Sequence, residues 1–107
     1  MLNLPAAIAA YFASERSTDA GTLTACFTAD GLVHDEKHDY RGADAIRAWR
    51  LDTQVRTPFT SRPVALHERD GRFVVTTEVS GAFPNSPIIL EKAFTLADGR
   101  IAALDIS

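Results

Sequence analysis

Two periodicities divide this chain. Up to Thr57 the apolar residues recur at helical spacing, and from Phe59 to the end they alternate with polar ones. Leu4, Ile8, Tyr11 and Phe12 stand at i, i+4, i+7 and i+8, which predicts an amphipathic helix over residues 4–14. Asn3 is placed to cap it, Pro5 fits its first turn, and the alanines between favour helix. The polar run Ser14-Glu15-Arg16-Ser17-Thr18 ends the apolar face. A second, shorter helix is expected from Asp19, carrying Leu23, Cys26 and Phe27, with Asp30-Gly31 as its stop. Leu32 and Val33 then begin a brief strand that runs to Asp35, and Glu36 to Arg41 reads as a polar loop. Gly42 opens a third helix, with Asp44 near the positive end of its dipole. Ile46 and Trp49 mark its buried face, Arg47 and Arg50 its wet one.

In the alternating half, Phe59–Arg69 and Phe73–Gly81 flank Asp70-Gly71, and Ile88–Ala97 and Arg100–Ser107 flank Asp98-Gly99. Asp-Gly between alternating runs is a strong hairpin signal. Pro84 and Pro87 keep the connection between the hairpins out of any central ladder, and Pro63 predicts an edge or a bulge in the first long strand. Three helices precede four long strands, with one short strand among the helices. That is an α+β order forming one domain over residues 1–107. A curled antiparallel sheet with helices gathered on one face makes a cone with a hollow, and hollows of this kind are small-molecule sites.

Composition narrows the function. An apolar share of 46% and a charged share of 23% are those of an ordinary globular protein. A net charge of −3 with both signs interspersed leaves no basic face for nucleic acid. No apolar run approaches the roughly 18 residues of a membrane span. No basic segment leads into an apolar stretch at the N-terminus, so a cytoplasmic location is expected. The single cysteine, Cys26, excludes an internal disulfide and gives no zinc pattern.

Candidate chemistry is densest at His34, Asp35, Glu36, His38 and Asp39. Neighbours on a strand point to opposite faces, so His34 and Asp35 do not converge on one ion, and a third ligand would have to come from as far as His67. No metal and no cofactor are expected. The stretch reads instead as a polar gate at the cavity mouth, with His38 within reach of a ligand. On the third long strand Leu90, Lys92, Phe94 and Leu96 share one side, and three of the four are apolar, so that side faces inward. An inward Lys92 is costly unless it is paired or its stem reaches the rim. Trp49, Phe94, Leu90, Phe73, Phe83, Leu104 and Ile106 are the expected cavity walls. The opposite side, with Ile89, Glu91, Ala93, Thr95, Ala103 and Asp105, mixes small, apolar and charged residues.

Tyr11 in the first helix, C-F-T-A-D-G-L-V-H-D at 26–35, Y-R-G-A-D-A-I-R-A-W at 40–49 and the two closing hairpins resemble the nuclear transport factor 2-like superfamily. Within it the chain looks most like the SnoaL-like polyketide cyclases and the ketosteroid isomerases. The resemblance implies a cystatin-like cone: a curved antiparallel sheet packed against three N-terminal helices. It puts Asp35 on the position of the isomerases' proton-moving aspartate and Tyr11 on that of their oxyanion tyrosine. Lys92 falls where they keep a protonated aspartic acid. That departure allows two roles, a cation that polarises a carbonyl or a partner that holds Asp35 ionised. The implied function is binding of a small, mostly apolar, carbonyl-containing molecule. Catalysis would be cofactor-independent isomerisation, dehydration or cyclisation with Asp35 as general base. The alternative is a non-catalytic binding or dimerisation module. In resembling proteins the convex sheet face packs against a second copy, which implies a homodimer. Some of them also extend beyond the position of Ser107, so an open mouth or a small hollow is expected here.

Overall fold

A computed structural model describes residues 2–17 and 19–107; Thr18 of the polar run therefore lies outside the described residues. Helix α1 spans Ala6–Ser14, starting two residues later than its apolar spacing predicts. Pro5 is extended (ψ 148°) and sits at the cap position, and no side chain caps the helix, so Asn3 does not have the expected role. The Ser14 hydroxyl donates to the Tyr11 carbonyl at 2.6 Å and closes the last turn. Helix α2 is a single turn, Gly21–Thr24. Asp19 anchors its start by accepting the Gly21 amide at 2.8 Å.

The expected stop at Asp30-Gly31 is overturned. Strand β1 already begins at Phe27 and runs to Asp35, so Phe27 belongs to the sheet and Asp30-Gly31 lies inside the strand. The ladder between β1 and strand β6 (Arg100–Ile106) shifts register between Phe27 and Leu32. The irregularity needs a glycine, because a Cβ at Gly31 would meet the Phe27 ring at 2.9 Å. Local turn chemistry suggested a break, but the pairing with β6 carries the strand through it.

The polar loop 36–41 is also corrected. Glu36 and Lys37 form a two-residue turn with φ of 52° and 66°. Strand β2, His38–Arg41, then pairs antiparallel with β1. The same left-handed turn occurs at Asp70-Gly71 (55°, 76°) and Asp98-Gly99 (52°, 77°), where the sequence announces it. At 36–37 no glycine or asparagine signals the hairpin, and the conformation costs about 1–2 kcal/mol per residue.

Helix α3 spans Ala43–Arg56 after Gly42, whose φ of 88° suits glycine. Strands β3 (Phe59–Arg69), β4 (Arg72–Gly81), β5 (Ile88–Ala97) and β6 complete one sheet in the order β2-β1-β6-β5-β4-β3. Every adjacent pair is antiparallel except β1 with β6, where the chain returns to lie beside its own beginning. As Pro63 suggests, β3 is an edge strand and its ladder is irregular between Pro63 and Ala65.

The core lies between the helices and one face of the sheet. Ile8, Tyr11, Val33, Ile46, Phe94 and Leu104 are fully buried there. The Tyr11 ring stands edge-on to Phe12 at 5.2 Å and to Phe94 at 5.3 Å, contacts worth about 0.5–1.5 kcal/mol each beyond the area they bury. Arg50 departs from expectation: it is 5% exposed, turned inward beneath α1 rather than out to water. No helix among the described residues is long and apolar enough to cross a membrane.

Candidate active site

A cavity of about 310 Å³ opens between α1, the outer half of α3 and the concave face of the sheet. That is the small end of the range for ligand sites, roughly 300–1,000 Å³. Tyr11, Asp35, Trp49, Phe83, Leu90, Lys92 and Ile106 all line it. The three residues assigned to chemistry from the sequence thus share one cavity with four of the assigned wall residues. Phe94, Phe73 and Leu104 do not line it. Phe94 and Leu104 are fully buried in the core cluster, and half-buried Phe73 packs against that cluster. His38 is exposed on β2, with its Nδ1 2.9 Å from the Glu36 carbonyl, and does not line the cavity.

Asp35 ends β1, where the strand meets the strained Glu36-Lys37 turn. The Trp49 indole Nε1–H, reaching across from α3, donates to Asp35 Oδ2 at 3.0 Å. The bond leaves Oδ1 without a side-chain partner among the described residues and fixes the carboxylate's orientation, a requirement for a positioned general base.

Lys92 points inward from β5 and is 3% exposed, so its stem does not reach the rim. Nor does it pair with Asp35. Its ammonium donates to the Tyr11 hydroxyl oxygen at 3.1 Å and to Glu15 Oε2 at 3.3 Å. Burial works against that charge, yet Tyr11 and Glu15 together hold Lys92 above the ordinary lysine value. Arg50 completes the cluster. Its Nη2 lies 3.8 Å from Glu15 Oε2, one N–H donates to the Ser14 hydroxyl at 3.4 Å, and its guanidinium stands 5.5 Å from the Tyr11 and Trp49 ring centres. Lys92 likewise sits over the Tyr11 and Phe12 rings at 5.1 and 5.4 Å.

The sequence reading missed Glu15 and Arg50. A signal existed: Glu15 follows Tyr11 by four residues, which sets both on one side of a helical turn. It was hidden because the polar run around Glu15 looks like a solvated helix end. Phe59, Val79 and Ile88 add apolar wall, while exposed Glu36 and Arg56 stand at the mouth.

His34 and Asp39 are cross-strand partners on β1 and β2, 2.6 Å apart and exposed. The Asp39 bond pushes the His34 imidazole above its ordinary value, with smaller help from the charges of Asp39, Asp105 and Asp35 against a little burial. Among the described residues no group of three or more His, Cys, Asp or Glu is placed to hold a metal. Cys26 is buried and its Sγ lies 3.3 Å from the Thr22 carbonyl; burial pushes its thiol up, with the Arg50 charge pulling the other way.

This backbone superimposes on the crystal structure of a candidate polyketide cyclase from Sinorhizobium meliloti with a TM-score of 0.91, at 33% identity over 97% of this chain and 95% of that one. The chain belongs to the nuclear transport factor 2-like superfamily, among its SnoaL-like members. Other SnoaL-like and related structures share the fold at lower identity. A candidate SnoaL-like polyketide cyclase from Jannaschia matches with a TM-score of 0.80 at 14% identity, over 100% of this chain and 90% of that one. An epoxide hydrolase/cyclase-like enzyme of pyran ring formation in the polyether salinomycin matches at 0.77 and 20%, over 94% and 86%. No family model matches the sequence, and no curated protein matches it.

Proposed function

We propose that this SnoaL-like chain binds a small, mostly apolar carbonyl compound in its cavity and moves a proton next to the carbonyl, with Asp35 as general base. Tyr11 and Lys92 receive the carbonyl oxygen as negative charge develops on it. The observation that supports this most is spatial. Asp35, held by Trp49, lines the same hollow as the Tyr11–Lys92 pair, although the three come from different elements. Isomerisation, dehydration and aldol-type ring closure are within reach of these groups without a cofactor. The similarity to a candidate polyketide cyclase at 33% identity favours the ring-forming member of that set.

The test is deuterium incorporation beside the carbonyl in a panel of small ketones, followed by NMR in heavy water. Asp35→Asn is expected to lower the rate by about 10²–10⁴ while leaving the circular dichroism spectrum unchanged. Wild-type exchange no faster than buffer, or an unimpaired Asp35→Asn variant, contradicts the reading.

A second reading, a binding module without turnover, is favoured by one feature. A buried ammonium bound to Glu15 stands where the ketosteroid isomerases that this chain resembles keep a protonated aspartic acid. Under it, Asp35→Asn changes only ligand affinity or stability. Both readings include a cytoplasmic location and a homodimer through the convex sheet face, where Ile89 is 60% exposed. Light scattering at high protein concentration that returns the monomer mass contradicts the dimer.

A further inference from the structure

Tyr11 has one hydroxyl hydrogen, and where it points depends on the charge of Lys92. An ammonium has only hydrogens to give, so Lys92 donates to the Tyr11 oxygen at 3.1 Å and the Tyr11 hydrogen is left free. An uncharged amine has a lone pair instead. Beside it the Tyr11 O–H would donate to the Lys92 nitrogen and turn away from the cavity that both residues line. A carbonyl oxygen in the hollow therefore meets the Tyr11 donor only while Lys92 is charged.

The group that keeps it charged stands outside the cavity. Strands β4 and β6 set Val75 and Ile106 opposite Lys92 and bring no charge. Strand β1 brings Asp35, which lines the same cavity but is engaged by Trp49. Helix α3 brings a second cation, Arg50, which stands over the Tyr11 ring at 5.5 Å as Lys92 does at 5.1 Å. Helix α1 brings the neutral Tyr11 hydroxyl and the Glu15 carboxylate, 3.3 Å from the ammonium. Glu15 and Arg50 line a separate hollow on the far side of this contact. Glu15 Oε1 has no hydrogen-bond partner among the described residues, and Arg50 reaches Oε2 only as an ion pair at 3.8 Å. Among those residues Lys92 is thus the one group that hydrogen-bonds this carboxylate. With Glu15 neutral, two buried cations would face each other across the Tyr11 ring. Burial would drive one of them to release its proton to solvent, and a guanidinium does not, so the proton would come from Lys92.

We infer that Glu15 is a positioning residue for the proton transfer proposed above. From behind the cavity wall it keeps Lys92 an ammonium, and the ammonium leaves the Tyr11 hydrogen free for the ligand. Glu15 touches no ligand and acts through Lys92 alone. The inference rests on the reading of Asp35, Tyr11 and Lys92 as the reacting groups, and places Glu15 behind them.

The experiment reads Lys92 directly and then its consequence. The chain has two lysines, Lys92 and exposed Lys37, so carbon-13 at the lysine Cε gives two NMR signals to titrate. In the wild type burial works against the Lys92 charge and Tyr11 and Glu15 outweigh it, so the midpoint lies above the ordinary lysine value. In Glu15→Gln it is expected below that value. Deuterium exchange into a small ketone is then followed across pH in both proteins. Above its own Lys92 midpoint the variant is expected to be at least about 10²-fold slower, the loss of one oxyanion donor, and to recover as pH falls through that midpoint. The wild type shows no step there. Glu15→Asp keeps the charge on a shorter arm and is expected to stay within several-fold of the wild-type rate at neutral pH; it carries the test should Glu15→Gln fail to fold. An unmoved Lys92 midpoint in Glu15→Gln, a rate lost equally at every pH, or a folded Glu15→Asp that is slower by about 10²-fold overturns the positioning role. A wild type without exchange, in which the Lys92 midpoint still falls on Glu15→Gln, overturns the reading of the reaction and leaves the hold of Glu15 on Lys92 standing.

Discussion

His34 and Asp39 meet at 2.6 Å on the β1–β2 hairpin, whereas Lys92 and Glu15 meet at 3.3 Å beneath the helices. The shorter contact is the weaker one. The hairpin pair stands in water, where solvent and salt screen it and the side chains are free to separate. The deeper pair is 4% exposed on both sides, so solvent and salt screen it far less. Two regions of one fold thus use the same kind of contact for different ends. On the exposed hairpin, ionisable groups are cheap to change. Beneath the helices each charge is held in place by the cost of losing its partner.

That contrast is most exposed to failure at Lys92. Lys92→Met takes the nearer of its two cations from the buried Glu15 carboxylate and leaves Arg50 at 3.8 Å, and the loss in urea denaturation is expected to be about 3–5 kcal/mol. A loss below about 1 kcal/mol shows the cluster to be as dispensable as a surface pair. The contribution of Lys92 itself is full below the ordinary lysine pKa. Because the folded value is raised, it is lost only as pH climbs through that value. Next in size is the turn. Lys37 holds φ of 66° without being glycine, so Lys37→Gly is expected to raise stability by about 0.5–1 kcal/mol in the same assay, and a loss contradicts the strain assigned to the turn. Smallest is the exposed pair. The folded His34 pKa is raised, so its contribution is full below about pH 6.5 and fades as pH rises through the folded value. NMR titration of Asp39→Asn should return His34 toward the ordinary histidine value; an unchanged midpoint removes Asp39 as the cause.

The same division separates what could be read from the sequence. Long-range architecture was legible because it is written locally: Asp70-Gly71 and Asp98-Gly99 mark both long hairpins, and helical spacing through Ile8, Tyr11 and Phe12 marks α1. Phe27 was misassigned to a helix because its pairing partner, Ile101, lies 74 residues on (101 − 27) and leaves no local trace. Strand β2 was missed for the opposite reason, since its turn adopts a glycine conformation with Glu36 and Lys37. Asp35, Tyr11 and Lys92 could be placed on one cavity by the family resemblance. Which of them touch could not, because Lys92 chooses Glu15 over Asp35 through the packing of α1 on β5. Arg50 looked solvated on its helix, and only the closeness of Ser14, Glu15 and the Tyr11 ring explains why it is buried.

Trp49 is the chain's single tryptophan, and its indole N–H is bound to the carboxylate proposed as the base. Its one nitrogen-15 NMR signal therefore reports on the cavity wall at the point where the chemistry is assigned. During titration with a small ketone such as hexan-2-one, that signal is expected to shift and saturate together with the binding isotherm. A ketone that binds with the indole signal unmoved, or a signal that no concentration of it displaces, contradicts a cavity in which Asp35 faces the ligand.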